Sequence, residues 1–131
     1  MRIGVDLIEI ERLVRTIERR PSFLDRVYTE RELQMAATLQ GHRRNEFLAG
    51  RFAAKEAVVK ALRLTLQGGR ALRGIEILKN PSGAPELHLH GCARHAAETA
   101  NVGTHDISIT HDKGKAIAFA AFLIDDQPEK M

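Results

Sequence analysis

Apolar and polar residues follow two different periods along this chain, and together these periods predict an α+β fold. Residues 2–8 alternate weakly and are rich in β-branched side chains, which indicates an opening strand. Helices are predicted where apolar side chains recur every three or four residues, at 9–20, 29–41 and about 44–66. The second half is predicted to hold a short helix at 92–100 and four alternating strands, at 74–78, 86–90, 106–111 and 116–124.

Residues with special turn chemistry mark several ends of these elements. Thr29 and Glu32 have the spacing of a capping box, and Gly68-Gly69 is expected to close the long helix. The segment Asp112-Lys-Gly-Lys predicts a tight hairpin between the last two strands. The long helix carries apolar side chains around much of its circumference, so we expect it at the centre of the fold.

The chain has the organisation of one domain, without an internal repeat, linker or low-complexity segment. We predict a single compact α+β domain over residues 1–124, in which the long central helix packs on an antiparallel sheet. Residues 125–131 are expected to form a flexible C-terminal tail. With one Tyr, five Phe and no Trp in 131 residues, the core must be mainly aliphatic, which leaves room for stabilisation by oligomerisation.

Charge is distributed unevenly along the chain. Residues 1–70 contain 14 Lys and Arg against 9 Asp and Glu, whereas residues 71–131 contain 6 against 8. The basic half favours an anionic partner, although charge does not decide between nucleic acid, an acidic protein and a phosphorylated small molecule. The single cysteine, Cys92, cannot form an internal disulfide, and no apolar run reaches the length of a membrane span. We therefore expect a cytoplasmic protein, with Cys92 as a buried thiol.

The segment from Arg51 to Lys60 holds the most informative charges. Glu56 and Lys60 are four residues apart, so their side chains lie side by side on a helix. A carboxylate beside a cation suits a metal-bound phosphate ester, since the acid can hold Mg²⁺ while the base neutralises phosphate oxygens. Spacing alone favours the simpler interpretation of an exposed ion pair that contributes a few tenths of a kcal/mol.

Three further positions are candidates for chemistry. Asp6 is a carboxylate within an apolar strand, which indicates either a metal ligand or an acid favoured by the dipole of the following helix. His111 ends a strand beside a turn, where an exposed or hydrogen-bonded structural histidine is the simpler interpretation. The run His42-Arg43-Arg44 precedes the long helix, and cations beside the free N–H groups of a helix start form a phosphate cradle.

Taken together, these segments resemble a known family. Gly4-Val-Asp-Leu-Ile-Glu9, the segment 45–62 and Ile107-Ser-Ile-Thr-His111 occur in the order typical of holo-acyl-carrier-protein synthases, the small 4′-phosphopantetheinyl transferases of fatty-acid synthesis. The similarity runs from residue 2 to about residue 124. It implies transfer of the phosphopantetheine arm of coenzyme A to a serine of an acidic apo-acyl carrier protein, with release of adenosine 3′,5′-bisphosphate. It also implies a homotrimer with active sites at the subunit interfaces, and neither a membrane nor a nucleic acid as partner.

The resemblance further implies a role for each candidate residue. Asp6 and Glu56 match the positions that hold Mg²⁺ on the coenzyme A diphosphate. Either Glu56 or a water on the metal can accept the serine proton, and we favour the water because a carboxylate that is bound to a cation is a weak base. The expected catalytic residues are Glu56, Lys60 and His111. Coenzyme A is expected to bind Arg43, Arg44, Arg51, Lys60 and His111. The carrier protein is expected to dock on the first helix through Arg12, Arg15 and Arg19.

One segment departs from the family pattern, and one hypothesis from another class competes. After Lys60 the family usually has a Gly-Thr-Gly-like turn, whereas this chain places its glycines later, so Arg63 is a candidate replacement for the backbone donors of that turn. The competing hypothesis is a basic α+β module that binds nucleic acid. The chain lacks the aromatic and RNP-like motifs expected of such a module. The hypothesis also leaves Asp6 and Glu56 unexplained, because carboxylates repel phosphates when no metal is present.

Overall fold

The elements follow one another in the predicted order in a computed structural model, which describes residues 1–65 and 70–125 but not the side chains of residues 70 and 71. In chain order they are β1 (Arg2–Glu9), α1 (Ile10–Arg19), α2 (Phe23–Val27), α3 (Glu30–Ala37), α4 (Gly41–Leu62), α5 (Arg70–Arg73), β2 (Ile75–Lys79), β3 (Pro85–Leu89), α6 (Gly91–Thr99), β4 (Val102–Asp112) and β5 (Lys115–Ile124). The predicted α+β fold is confirmed, and the short helices α2 and α5 were not predicted. Among the helices of the described ranges, none has the length and apolar character that a membrane crossing requires.

The strands form two antiparallel sheets. The larger sheet has the order β1-β5-β4, and β2 pairs with β3 in a separate hairpin. In the larger sheet Asp6 lies opposite Ala118, and His111 lies opposite Ala116. The predicted hairpin between β4 and β5 is confirmed: it is tight because Lys113 and Gly114 both have positive φ, at 49° and 78°. Asp6 and His111 therefore flank the central strand β5 from opposite sides.

Small side chains let α4 lie close against the larger sheet. A Cβ atom built on Gly4 of β1 would stand 1.9 Å from the backbone oxygen of Ala57 and 2.8 Å from the nitrogen of Ala61. Facing α4 from β5 are three fully buried alanines, Ala116, Ala118 and Ala120. The long helix is therefore central, as predicted, and the crossing at Gly4 fixes where the side chains of β1 stand along it.

A buried ion pair attaches α4 to the smaller sheet. Lys55 and Glu32 are both fully buried, with Lys55 Nζ 2.8 Å from Glu32 Oε1. Lys55 also donates to the backbone oxygen of Leu72, and the second Glu32 oxygen accepts from the N–H of Ile77 at 2.8 Å. Burial lowers the pKa of Lys55, although the charge of Glu32 opposes this effect. Because an unpaired buried charge is costly, this pair fixes the rotation of α4 about its own axis.

The long helix is displaced toward the N-terminus relative to its prediction. It begins at Gly41 and ends at Leu62 rather than near residue 66. Arg63 closes it in the left-handed conformation (φ 57°, ψ 43°), and the N–H of Leu64 bonds back to the oxygen of Val59 at 3.0 Å. This is the bonding of a Schellman C-cap, which usually contains glycine, so an arginine at this position did not indicate the end of the helix. The two glycines predicted to close the helix lie outside the described residues.

Smaller differences concern a thiol and two segment ends. Cys92 is exposed, so its prediction as a buried thiol is wrong: in the first turn of α6 it is Ala93 that is buried. Helix α3 ends at Ala37 rather than near Gly41, because Gly41 opens α4 instead. The predicted tail at 125–131 lies, apart from Asp125, outside the described residues.

Candidate active site

Asp6, Glu56 and Lys60 lie together where β1 crosses α4. Lys60 Nζ is 3.1 Å from Asp6 Oδ1 and donates to the backbone oxygen of Val5 at 3.0 Å. Glu56 is half-buried one turn before Lys60, on the same face of the helix. Asp6 is the next side chain after Gly4 on the face of β1 that meets the helix. The close crossing at Gly4 is therefore what brings an acid of the strand to an acid of the helix.

The two carboxylates are close enough to influence each other. Burial raises the pKa of Glu56, the charge of Asp6 raises it further, and the charge of Lys60 opposes both effects. Asp6 Oδ2 is buried and accepts no hydrogen bond from the residues that the structure describes. A buried carboxylate oxygen without a donor is costly, and a cation at this point would compensate it.

This donor set fits Mg²⁺. A protein usually binds Mg²⁺ through one or two carboxylates while the ion keeps several waters, and Asp6 with Glu56 provides that number. Within residues 1–65 and 70–125 no group of three or more His, Cys, Asp or Glu side chains is arranged to hold a metal. Asp6 and Glu56 are therefore too few for a structural zinc site, which needs four ligands.

His111 belongs to a second group of side chains, toward the start of α4. Its Nδ1 is 3.6 Å from Glu46 Oε2, and the same carboxylate oxygen is 3.4 Å from His42 Nε2. Ten residues separate Glu46 from Glu56, which is about 15 Å along the helix. Within one chain, the group around His111 is therefore distinct from the group of Asp6 and Glu56.

Arg43 and Arg44 lie in the first turn of α4, next to this histidine group. Arg43 is exposed and Arg44 is half-buried. The N-cap residue Gln40 makes no capping hydrogen bond through its side chain. Free backbone N–H groups and two guanidinium groups thus occur at one end of a helix, which is an arrangement suited to binding phosphate.

Arg51 is placed differently from the other predicted phosphate ligands. It is buried, and its guanidinium donates to the backbone oxygens of Ile77 and Leu78 in β2, each at 3.2 Å. The same group lies over the ring of Phe47, 4.4 Å from its centre. The structure thus gives Arg51 a packing role between α4 and β2, and its contact with coenzyme A stays a prediction.

The three arginines expected to dock a carrier protein lie on one exposed surface of α1. Arg12, Arg15 and Arg19 line a shallow groove together with Glu18. Arg15 makes a long ion pair, 3.8 Å, with Glu11, and pairs this exposed contribute little. Beside the groove is a cleft with apolar walls that include Leu7, Leu13, Phe23 and Phe52.

Two residues that shape the site were not among the predicted ones. Gly4 was noted only as part of a motif, although a glycine at an inward position of a strand indicates close approach of another backbone. Glu46 follows His42 by four residues, and that spacing was the available sign of their contact on one helix face. The contact of Glu46 with His111 joins residues far apart in the chain, so the sequence carries no comparable sign.

Comparison with known proteins agrees with the resemblance noted in the sequence. The model of a family described as the 4′-phosphopantetheinyl transferase superfamily matches residues 2–120. The holo-[acyl-carrier-protein] synthase of Moorella thermoacetica is 44% identical over 117 residues, covering 89% of each chain. That of Alkaliphilus metalliredigens is 42% identical over 118 residues, covering 90% of this chain and 94% of the relative.

Solved structures of similar fold include complexes with coenzyme A. A holo-(acyl-carrier-protein) synthase from Bacillus anthracis, in complex with CoA (3′,5′-ADP), is 31% identical, with a TM-score of 0.77 over 95% of this chain and 96% of its own. The synthase of Helicobacter pylori in complex with coenzyme A is 30% identical, with a TM-score of 0.76 over 92% of this chain and 99% of its own.

Proposed function

The chain belongs to the 4′-phosphopantetheinyl transferase superfamily, and from this premise we propose that it transfers 4′-phosphopantetheine from coenzyme A to a serine of an apo-acyl carrier protein. The observation that carries the proposal is the convergence of Asp6 and Glu56 beside Lys60, with one buried Asp6 oxygen lacking a donor in the described ranges. A nucleic-acid module gives no reason for two acids to converge in this way.

Asp6 and Glu56 are the residues that would hold Mg²⁺ in this site. When bound, Mg²⁺ supplies charge neutralisation at the diphosphate of coenzyme A. Lys60 is half-exposed, so its ammonium group can turn from Asp6 to a phosphate oxygen of the substrate. Phosphoryl-type transfer needs this neutralisation and positioning more than covalent help from the protein.

The reaction exchanges one bond to phosphorus for another. The serine oxygen of the carrier protein bonds to the phosphorus that carries the pantetheine arm, and adenosine 3′,5′-bisphosphate leaves with the electrons of the broken P–O bond. The serine proton passes to water, and Lys60 donates to the departing phosphate. Glu56 is a poor acceptor for this proton when its carboxylate is engaged with a cation.

Arg43, Arg44 and His111 are proposed to bind the nucleotide end of coenzyme A. All three lie toward the start of α4, where free backbone N–H groups favour anions. Coenzyme A is long and carries phosphates at two places, so a second phosphate site apart from Asp6 and Glu56 suits it. Arg51 is kept in this proposal as a neighbour on α4 whose guanidinium has further N–H groups beyond its two bonds to β2.

In a trimer, the start of α4 in one copy would lie near Asp6 and Glu56 of a neighbouring copy. The outer face of the β1-β5-β4 sheet is apolar and exposed, and such a face is typical of an interface between proteins. Its exposed side chains are Ile3 (57%), Val5 (51%), Leu7 (55%), Ile117 (39%), Phe119 (43%) and Leu123 (46%). We propose that this face joins three copies and that each active site combines residues from two neighbours.

The carrier protein is proposed to dock on the exposed arginines of α1. Carrier proteins are acidic, so Arg12, Arg15 and Arg19 would steer them to the groove that they line. The apolar cleft next to the groove offers contact area for uncharged side chains of the partner. A cytoplasmic location, where coenzyme A and carrier proteins meet, completes the proposal.

Mass spectrometry tests the proposed transfer directly. An apo-acyl carrier protein is incubated with coenzyme A, Mg²⁺ and this protein, with and without EDTA. We expect the mass of one phosphopantetheine on a single serine, adenosine 3′,5′-bisphosphate in equal amount, and neither product with EDTA. Glu56→Gln should abolish both products, whereas Glu98→Gln, an exposed change on α6, should leave them unchanged. Absence of any mass gain across several acidic carrier proteins would refute the proposal.

A further inference from the structure

We propose that Glu46 is a positioning residue that holds the imidazole of His111 by its Nδ1 side and leaves Nε2 free for a phosphate group of coenzyme A. The inference deepens the proposed function, and its importance for activity rests on that function. The contact itself is the observation: Glu46 Oε2 lies 3.6 Å from His111 Nδ1, between a helix and a strand end that are far apart in the sequence.

Among the residues that the structure describes, the Glu46 carboxylate has few polar partners besides His111. Within residues 1–65 and 70–125, its only ion-pair or hydrogen-bond partners through the side chain are the imidazoles of His111 and His42. Glu46 is also the one acid in the first two turns of α4, beside Arg43 and Arg44. A carboxylate repels phosphates, so at an anion-binding helix end it is unfavourable unless it orders something else.

Because of the geometry of an imidazole, the contact with Glu46 sets the orientation of the His111 ring. Its two nitrogens lie on different sides of the ring, so a carboxylate facing Nδ1 favours the proton on that atom and fixes where Nε2 points. Nε2 of His111 makes no hydrogen bond or ion pair with residues in the described part of the chain. The His111 side chain is 42% exposed against 27% for Glu46, so its far side is open to a ligand while its near side is held.

His42 contacts the same carboxylate oxygen at the slightly shorter distance of 3.4 Å, but in a more exposed setting. Its side chain is 75% exposed, and its contact is of the four-apart type found on any helix. His42 therefore has an ordinary explanation as a surface pair, whereas the contact of Glu46 with His111 joins two elements. This difference makes His111 the residue that Glu46 orders.

The tautomer of His111 provides a test that does not depend on activity. In protein labelled with ¹⁵N at histidine, long-range ¹H–¹⁵N spectra at alkaline pH report which ring nitrogen carries the proton. We expect Nδ1–H for His111 in the native protein and Nε2–H in Glu46→Met, which keeps the length of the side chain but removes the acceptor. Glu46→Gln retains an oxygen acceptor and should preserve Nδ1–H. An unchanged tautomer in a folded Glu46→Met variant would overturn the inference.

Kinetics with coenzyme A and an apo-carrier protein test the consequence for catalysis. Glu46→Met should lower kcat/KM for coenzyme A roughly tenfold, the low end of the range found when partners that orient metal-bound histidines are removed. Glu46→Gln should recover part of this loss. The matched control is Glu86→Met, which removes the same acid from another pair, with His88 at 2.7 Å, and should leave kcat/KM unchanged.

A double variant separates positioning from general structural support. If Glu46 acts through His111, then Glu46→Met costs nothing further in a His111→Gln background. A second tenfold loss in that background would show that Glu46 acts by another route and would overturn the inference. A native protein that transfers no phosphopantetheine would refute the proposed function instead, and the tautomer measurement would still decide the contact.

Discussion

At the scale of single residues, Glu56 shows most clearly how the fold prepares a charged site. Its pKa is raised by burial and by the charge of Asp6, so in the metal-free protein the charge of Asp6 makes ionisation of Glu56 less favourable. Asp6→Asn should therefore lower the pKa of Glu56. A ¹³C titration of the Glu56 carboxyl group in metal-free protein would measure this shift. The control is Glu86→Gln, which also removes one negative charge but on the β2–β3 hairpin.

The raised pKa of Glu56 also makes the stability of the protein depend on pH. The folded protein holds the proton more firmly than the unfolded chain, so protonated Glu56 contributes stability below its ordinary pKa. That contribution is lost as the pH rises through the raised folded pKa. Asp6→Asn should flatten this part of the dependence of stability on pH. An equal or higher Glu56 pKa in Asp6→Asn would contradict the proximity of the two acids.

At the scale of elements, the crossing of β1 over α4 depends on one missing side chain. Gly4→Ala would place a Cβ against the backbone of Ala57, where nothing flexible can yield, so we expect a loss of about 3 kcal/mol in the free energy of unfolding. Gly50→Ala is the matched control, because its Cβ would meet only a side-chain methyl of Ile109 at 2.9 Å. Alanine also favours a helix by about 1 kcal/mol over glycine, which offsets that contact.

Urea denaturation of the two alanine variants would measure the difference. We expect Gly4→Ala to unfold at a clearly lower urea concentration than Gly50→Ala, and phosphopantetheine transfer to fall with it because Asp6 is displaced. Equal stability of Gly4→Ala and the native protein would show that the strand and helix are not held together as described.

The same crossing shows what could and could not be predicted from the sequence. Strands and helices were predictable because their apolar periods are local, and the Thr29–Glu32 capping box is confirmed by both of its hydrogen bonds. Glu56 and Lys60 were predictable neighbours because four residues make a helical turn. The buried pair of Lys55 with Glu32 was not, since it depends on how α4 is rotated against α3. The end of α4 was misplaced because Arg63 occupies a conformation that usually indicates glycine.

At the scale of the whole molecule, the proposed site is divided between two ends of one helix. Glu56 lies with Asp6 and Lys60, whereas His111, Arg43 and Arg44 lie toward the start of α4, about 15 Å away along it. The exposed apolar face of the β1-β5-β4 sheet offers a way for neighbouring copies to unite the two groups. The account therefore makes the assembly part of the catalytic apparatus, since each copy would provide one half of two different sites.

Subunit complementation tests this central claim most directly. Two variants are needed, Glu56→Gln and the double change Arg44→Gln with His111→Gln, and each should be inactive alone while keeping the native assembly size by light scattering. Co-expressed with different affinity tags and purified through both, mixed trimers should regain roughly a third of the native transfer rate per site, because each mixed trimer has one interface in three at which intact halves meet. Transfer no faster than that of the separate variants, in assemblies shown to be mixed, would contradict the account.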